Sequence, residues 1–301
     1  MQRRFVSVAV VVMLMLSCFS VVQAGEEAAP PGLDQALEEL GYQRDHIEML
    51  TREEKQALIK NGKLSERELD EYLREADYPE ELIEILDYAQ KVDIYLNRAS
   101  YASHHVEHSH LTDNEEEEFG IRSWNNFSQW FSVHKLSSSS GQLRYMIYYN
   151  WRWNYAPNIT LTDKFGMSWS NHQGWWIESN SWRMNYTAYG QSSSYYYYWN
   201  TYSDIIASGV GWSFNIQSSI NGDPIVGHRG WGRITIRINH NGSGWSSRTS
   251  LAGNYFHKLL GTDSSLIFEG SGQSPSVGIQ ASWRYDSPGQ VFDRWTWYHS
   301  D

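Results

Sequence analysis

The sequence predicts an α+β chain: a small acidic all-α module at the N-terminus, then an all-β antiparallel sandwich or barrel rich in Trp and Tyr. Three observations predict it. Residues 25–118 hold 26 acids and 9 bases, whereas residues 119–301 hold 9 acids and 13 bases, nets of −17 and +4. All fifteen tryptophans fall in the second stretch. Apolar residues recur at three-four spacing in the first stretch and alternate in the second, which are the periods of helix and strand.

Residues 1–24 read as a secretory signal peptide. Arg3 and Arg4 give a positive start, Phe5 to Val22 is an apolar run, and Val22-Gln23-Ala24 sets small residues where a signal peptidase reads. Cleavage is expected after Ala24, leaving a secreted, extracellular chain. A retained anchor is the competing reading, since the run is just long enough to span a bilayer. A lipoprotein would use Cys18, but Met15-Leu16-Ser17 lacks the usual order before such a cysteine. Cys18 is the sole cysteine, so the mature chain has none and can form neither a disulfide nor a cysteine zinc site. An exported chain without disulfides points to a bacterial source.

Residues 25–98 form the acidic module, predicted as three or four short helices. Thr51 with Glu54 and Ser65 with Glu68 have capping-box spacing, in which hydroxyl and carboxylate satisfy free amides at a helix start. Pro79 suits a first helical position, and Gly41 and Gly62 punctuate the earlier segments. Leu82, Ile85, Leu86, Ala89, Val92 and Leu96 make one apolar stripe. Such a set is small for independent stability, so it is expected either to pack weakly on itself or to dock on the second module, where it would mask part of the aromatic surface; an independent spacer or partner-binding module is the alternative. Residues 99–121 contain no Lys or Arg and no apolar period, which predicts a flexible linker rich in His and Glu.

Residues 122–301 carry the strands, about eight to ten. Tyr145 to Trp153, Val210 to Ile216, Ile234 to Ile238 and Val277 to Tyr285 each alternate apolar and small or polar residues. Residues 119–301 hold 37 aromatic and only 22 charged residues, a surface whose solubility rests on Ser, Asn, Thr and Gly. Parity selects the candidate binding residues. In a strand over Tyr195, Tyr196, Tyr197, Tyr198 and Trp199, at least two rings leave the core face, and one of Trp175 and Trp176 must turn outward. Such rings mark a ligand surface unless another part of the protein covers them.

His104, His105, His108 and His110 are weak metal candidates, with His104 and His108 on one face of a helix. Glu178 is the weak catalytic candidate, because it follows two tryptophans; a glycosidase would need a second carboxylate beside it. No Gly-x-Ser-x-Gly, His-Glu-x-x-His or phosphate-loop motif occurs, and no cofactor is expected. Acids outnumber bases 35 to 24, which argues against a nucleic-acid partner. The sequence therefore favours a secreted non-enzymatic protein binding a glycan or cell-envelope component through exposed aromatics. Two alternatives are a membrane-active, toxin-like protein masked by its acidic leader, and a polysaccharide hydrolase or lyase.

Overall fold

The computed structural model describes residues 32–108, 124–137, 141–157, 160–171, 174–199, 202, 204–206, 208–239, 246–270, 274–280 and 284–298. The export signal with Ala24, and the stretch 109–123 with His110, lie outside the described residues.

Among the described residues the acidic module holds six short helices, not three or four: α1 (Leu33–Glu39), α2 (Arg44–Met49), α3 (Arg52–Asn61), α4 (Glu66–Glu75), α5 (Glu80–Ile85) and α6 (Tyr88–Leu96). Both capping boxes form. The Thr51 hydroxyl accepts the Glu54 N–H at 3.2 Å, and the Glu54 carboxylate accepts the Thr51 N–H at 2.8 Å. Ser65 and Glu68 repeat the exchange at 3.2 and 2.8 Å. Gly62 closes α3 at φ +74°, a left-handed setting that a Cβ would strain. The stripe from Leu82 to Leu96 belongs to two helices rather than one. Leu86 is extended, and Asp87 starts α6 through a third capping box with Gln90. Pro79 caps α5 instead of occupying its first turn.

Among the described residues, ten strands of six residues or more, with several shorter ones, make two antiparallel sheets and a hairpin. The first sheet runs β1 (Ser100–His108), β2 (Phe127–Leu136), β3 (Gln142–Trp153), β11 (Asp223–Asn239), β6 (Arg183–Gly190) and β7 (Ser194–Trp199), with β5 (Trp176–Ile177) and β10 (Ser219–Ile220) on β11. The second runs β15 (Tyr285–Asp286), β12 (Ser246–Lys258), β4 (Thr162–Trp169), β9 (Gly209–Asn215) and β8 (Asp204–Ile206), with β16 (Val291–Tyr298) on β12. The hairpin joins β13 (Leu266–Glu269) to β14 (Ser276–Ile279). The chain is α+β, and its β part is a sandwich.

Between the sheets lies an aromatic core that includes Tyr149, Trp151, Phe165, Trp212, Phe214 and Tyr255. Trp151 sits at its centre, 5.0 Å from Phe214 and 4.9 Å from Tyr255. The hairpin covers the far side of the second sheet, where Gly166, Gly209 and Gly211 leave room for Leu266 and Phe268. A Cβ on Gly209 would stand 2.4 Å from the Phe268 ring.

The helices cover the outer side of the first sheet. Leu82, Ile83, Leu86, Ala89 and Ile94 share a buried cluster with Met146, Tyr148 and Trp231. β3 is therefore buried on both faces. Its alternation of Tyr145, Ile147, Tyr149 and Trp151 marked one face correctly, but the opposite face is dry as well. Six of the thirteen bases in residues 119–301 fall on that outer side: Arg144, Arg152, Arg183, Arg229, Arg233 and Arg237. The acidic helices meet them there. Asp93 takes Arg233 at 2.7 and 2.9 Å and the Tyr148 hydroxyl at 2.6 Å. Glu54 takes Arg183 at 2.8 Å, Asp87 accepts the Trp231 indole N–H at 2.8 Å, and Gln90 donates to Asn150 at 2.8 Å.

Two other expectations are corrected. Residues 100–108 are not linker but the edge strand β1, paired with β2 from Ser100↔Lys135 to His108↔Ser128. Tyr101 packs toward the helices and its neighbour Ala102 toward the sandwich core, so both faces take apolar contacts and no alternation is visible. The strand expected over Val277 to Tyr285 ends at Ile279, and Ala281 and Trp283 lie outside the described residues.

Candidate binding cleft at the open edge of the sandwich

β7 is the last strand of the first sheet, so one flank of its backbone has no neighbouring strand. Parity operates as expected. Tyr195, Tyr197 and Trp199 lean on the sandwich core, while Tyr198 joins the cluster under the helices. The Tyr198 ring stacks on His46 of α2, centroids 5.0 Å apart and 13° from parallel. Part of the outward face of β7 is thus covered by the protein's own helices.

On the inward side, β7 and β9 flank an open cleft of about 360 Å³. Its walls are the rings of Tyr186, Tyr197, Trp199 and Phe214. The register Tyr186↔Tyr197 brings the first two together. Their centroids are 5.7 Å apart at 20°, and Trp199 continues the stack 5.7 Å from Tyr197 at 25°. Polar groups complete the lining: Thr162, Ser213, Asn215 and Gln217. Thr162 donates to the Asn215 side-chain oxygen at 2.7 Å, and the Gln217 N–H donates to the Tyr186 hydroxyl at 3.2 Å.

Among the described residues that line the cleft, none is charged. Behind it, the Tyr186 hydroxyl lies 2.8 Å from His228 Nδ1. Burial holds the His228 imidazole down at about 3, with His257 adding to the effect, so it is neutral at pH 7. Burial likewise raises the Tyr186 phenol, which stays protonated. Deeper still, the buried Asp163 carboxylate takes the Tyr255 hydroxyl at 2.5 Å and lies 2.9 Å from His257 Nδ1. Such a cleft can pack ring faces against an apolar planar patch and offer amide and hydroxyl groups at its rim. Among its described lining residues there is no pair of carboxylates for acid–base chemistry.

The other residues singled out from the sequence lie elsewhere. Trp175 is buried 5.8 Å from Tyr145, and Trp176 is the outward member of the pair, half-exposed, with Arg237 5.3 Å over its ring. Neither lines the cleft. Tyr195 reaches Asp223 at 3.4 Å instead. Arg144 holds both oxygens of Glu178, at 2.5 and 2.8 Å, in a structural ion pair. Glu178 shares a seam cavity with Glu54, but that carboxylate is held by Arg183.

His104 pairs with Glu81 at 3.0 Å and with the Tyr101 hydroxyl at 3.0 Å. Among the described residues no three His, Cys, Asp or Glu side chains gather as a metal site. Among them, too, no helix is long and apolar enough to cross a membrane.

Sequence reasoning missed Thr162, Tyr186, Ser213, Phe214, Asn215 and Gln217. Only the pairing of β6 with β7, and of the two sheets face to face, brings these residues to Tyr197 and Trp199. The alternation Met184, Tyr186, Ala188 was the available signal, and it marked core rather than cleft.

No protein-family model matches the chain, and neither does any curated protein sequence. Among solved structures, the chain is similar to ACE19, the collagen binding subdomain of the Enterococcus faecalis surface protein ACE, at 11% identity and a TM-score of 0.26, over 55% of this chain and 92% of that one. It is also similar to AvmM, which catalyses macrocyclization in alchivemycin A biosynthesis, at 6% identity and a TM-score of 0.22, over 57% of this chain and 90% of that one. Superpositions of this quality fall short of a shared fold.

Proposed function

We propose that the chain is an exported, non-enzymatic binding protein that holds a neutral glycan of a cell envelope in the cleft between β7 and β9. The observation that carries this reading is a cleft whose described lining carries no charge and in which the stacked rings of Tyr186, Tyr197 and Trp199 stand beside amides and hydroxyls. Ring faces pack on the C–H face of a sugar, and Asn215, Gln217, Thr162 and Ser213 reach its hydroxyls. The cleft volume suits a small ligand. Export rests on the pattern of Arg3, Arg4, the apolar run and Ala24.

The test is a titration of the mature protein with neutral oligosaccharides and insoluble cell-wall polysaccharides, by calorimetry and pull-down. Tyr197→Ala and Trp199→Ala should each weaken binding at least tenfold, ~1.4 kcal/mol, while the melting temperature stays near that of the wild type because both rings are only half-buried. Wild-type affinity in both variants would overturn the assignment. Dye release from liposomes without glycan binding would favour the membrane-active alternative.

A further inference from the structure

A second cavity, of about 320 Å³, lies on the opposite side of β7, where the ends of the helices meet the sheet. Five rings line it: Tyr42, His46, Tyr88, Tyr196 and Tyr198. His46 contributes a ring rather than a charge, because burial lowers its affinity for a proton. Four charged groups also face the cavity, two acids and two bases, and they are not equally committed.

Both acids are engaged by the protein. Asp87 accepts the Gln90 N–H at 2.8 Å and the Trp231 indole N–H at 2.8 Å. Glu66 pairs with Lys91 at 3.2 Å. The bases are held less closely, Arg229 only by a long ion pair to Asp87. The Arg229 side chain is 28% exposed, and its nearest carboxylate oxygen, on Asp87, is 3.9 Å away, beyond hydrogen-bonding distance. Its Nε is buried without an acceptor, and its guanidinium lies 5.5 Å from the Tyr189 ring. Lys63 is exposed on the loop before α4, with its ammonium over Gly41. Desolvating a guanidinium is unfavourable unless its donors find acceptors. The planar fork of Arg229 matches a carboxylate, which can accept two parallel N–H bonds.

We propose that this cavity is a second binding site, which takes a small ring carrying a carboxylate: the ring packs among the tyrosines and the carboxylate sits on Arg229, with Lys63 at the mouth. A sugar acid and an aromatic acid share this chemistry. The site is distinct from the edge cleft, being walled by the outward rings of β7 rather than the inward ones.

The experiment titrates the full mature protein with methyl β-glucuronide and with benzoate, each against its neutral counterpart, methyl β-glucoside or benzyl alcohol. At least one carboxylate should bind saturably and at least tenfold more tightly than its neutral counterpart. Whichever carboxylate binds more tightly identifies the source. Arg229→Gln should cost at least tenfold in affinity. Lys63→Gln should cost several-fold and flatten the salt dependence; Lys63 is exposed, so this variant remains decisive if Arg229→Gln does not fold. Tyr197→Ala, in the other cleft, should leave carboxylate binding unchanged. No saturable binding of either acid, equal binding of acid and neutral ring, or wild-type affinity in both charge variants would overturn the proposal. Failure of neutral glycans to bind would count against the edge cleft alone.

Discussion

Asp93 has the most demanding position of any carboxylate in the helix–sheet seam. Burial alone would raise its pKa, but Arg233 and Arg183 overcome that and hold the carboxyl below the usual range. The three charges and the Tyr148 hydroxyl form one buried set, in which Arg233 depends on Asp93 while Arg183 is shared with Glu54. Asp93→Asn should destabilise the protein by ~3–5 kcal/mol, because the buried Arg233 guanidinium is left without its carboxylate, while Arg183 keeps Glu54. Urea unfolding would measure it, and a change under 1 kcal/mol would mean that water reaches the arginines. Very little of this was legible beforehand. Asp93 lay in an acidic helical stretch, where a carboxylate is ordinarily solvated, and its partner Arg233 is 140 residues away. Residue-level parity was more informative. It required one of Trp175 and Trp176 to turn outward, and Trp176 does. It required two rings of the tyrosine run to leave the core face, but it could not say that helices would cover Tyr198.

Among the elements, those with local signals were the ones the sequence exposed. Capping boxes at Thr51 and Ser65 fix helix starts through contacts three residues apart, so spacing alone reveals them. Asp87 and Gln90 carry a third box whose Asp and Gln are less familiar than Ser and Glu, and the apolar stripe running across it suggested one continuous helix. β1 was hidden for another reason: both its faces are partly covered, which erases the polar–apolar rhythm of a half-wet strand. The hairpin of β13 and β14 supplies a test at this scale. It rests on the bare backbone at Gly209 and Gly211, and Gly209→Ala would drive a methyl group into the Phe268 ring. The expected loss is ~1–3 kcal/mol, the usual effect of overfilling a packed site. Hydrogen exchange should rise first at residues 266–279. Unchanged protection there would mean that Phe268 can turn aside.

For the whole molecule, the fold class and the two-part division by charge were readable from composition. The four-layer order of helices, sheet, sheet and hairpin was not, because it depends on which faces meet. That layering buries His134 beneath the helices and His228 inside the sandwich, and burial lowers both to about 3. In the unfolded chain both titrate near 6.5. Between those values the unfolded state binds protons that the folded state refuses, so stability is full above about pH 6.5 and falls as the pH drops toward 3. The slope should approach ~1.4 kcal/mol per pH unit for each histidine. Urea midpoints at pH 7.5, 6, 5 and 4 would check this; a flat profile from 6.5 to 5 would mean that the histidines accept protons in place. The same layering has a consequence in time. The helices are synthesised first, yet the sheet they rest on is completed by β11, and Asp93 precedes Arg233 by 140 residues. At about 5–20 residues per second, the helical segment waits on the order of 10 s for its partner. Through that interval the helices can close their own cluster around Leu37, Leu58 and Leu69, but the face of Leu82, Leu86 and Ile94 lacks Trp231, and the surplus of carboxylates disfavours contact with neighbouring nascent chains until the sheet arrives.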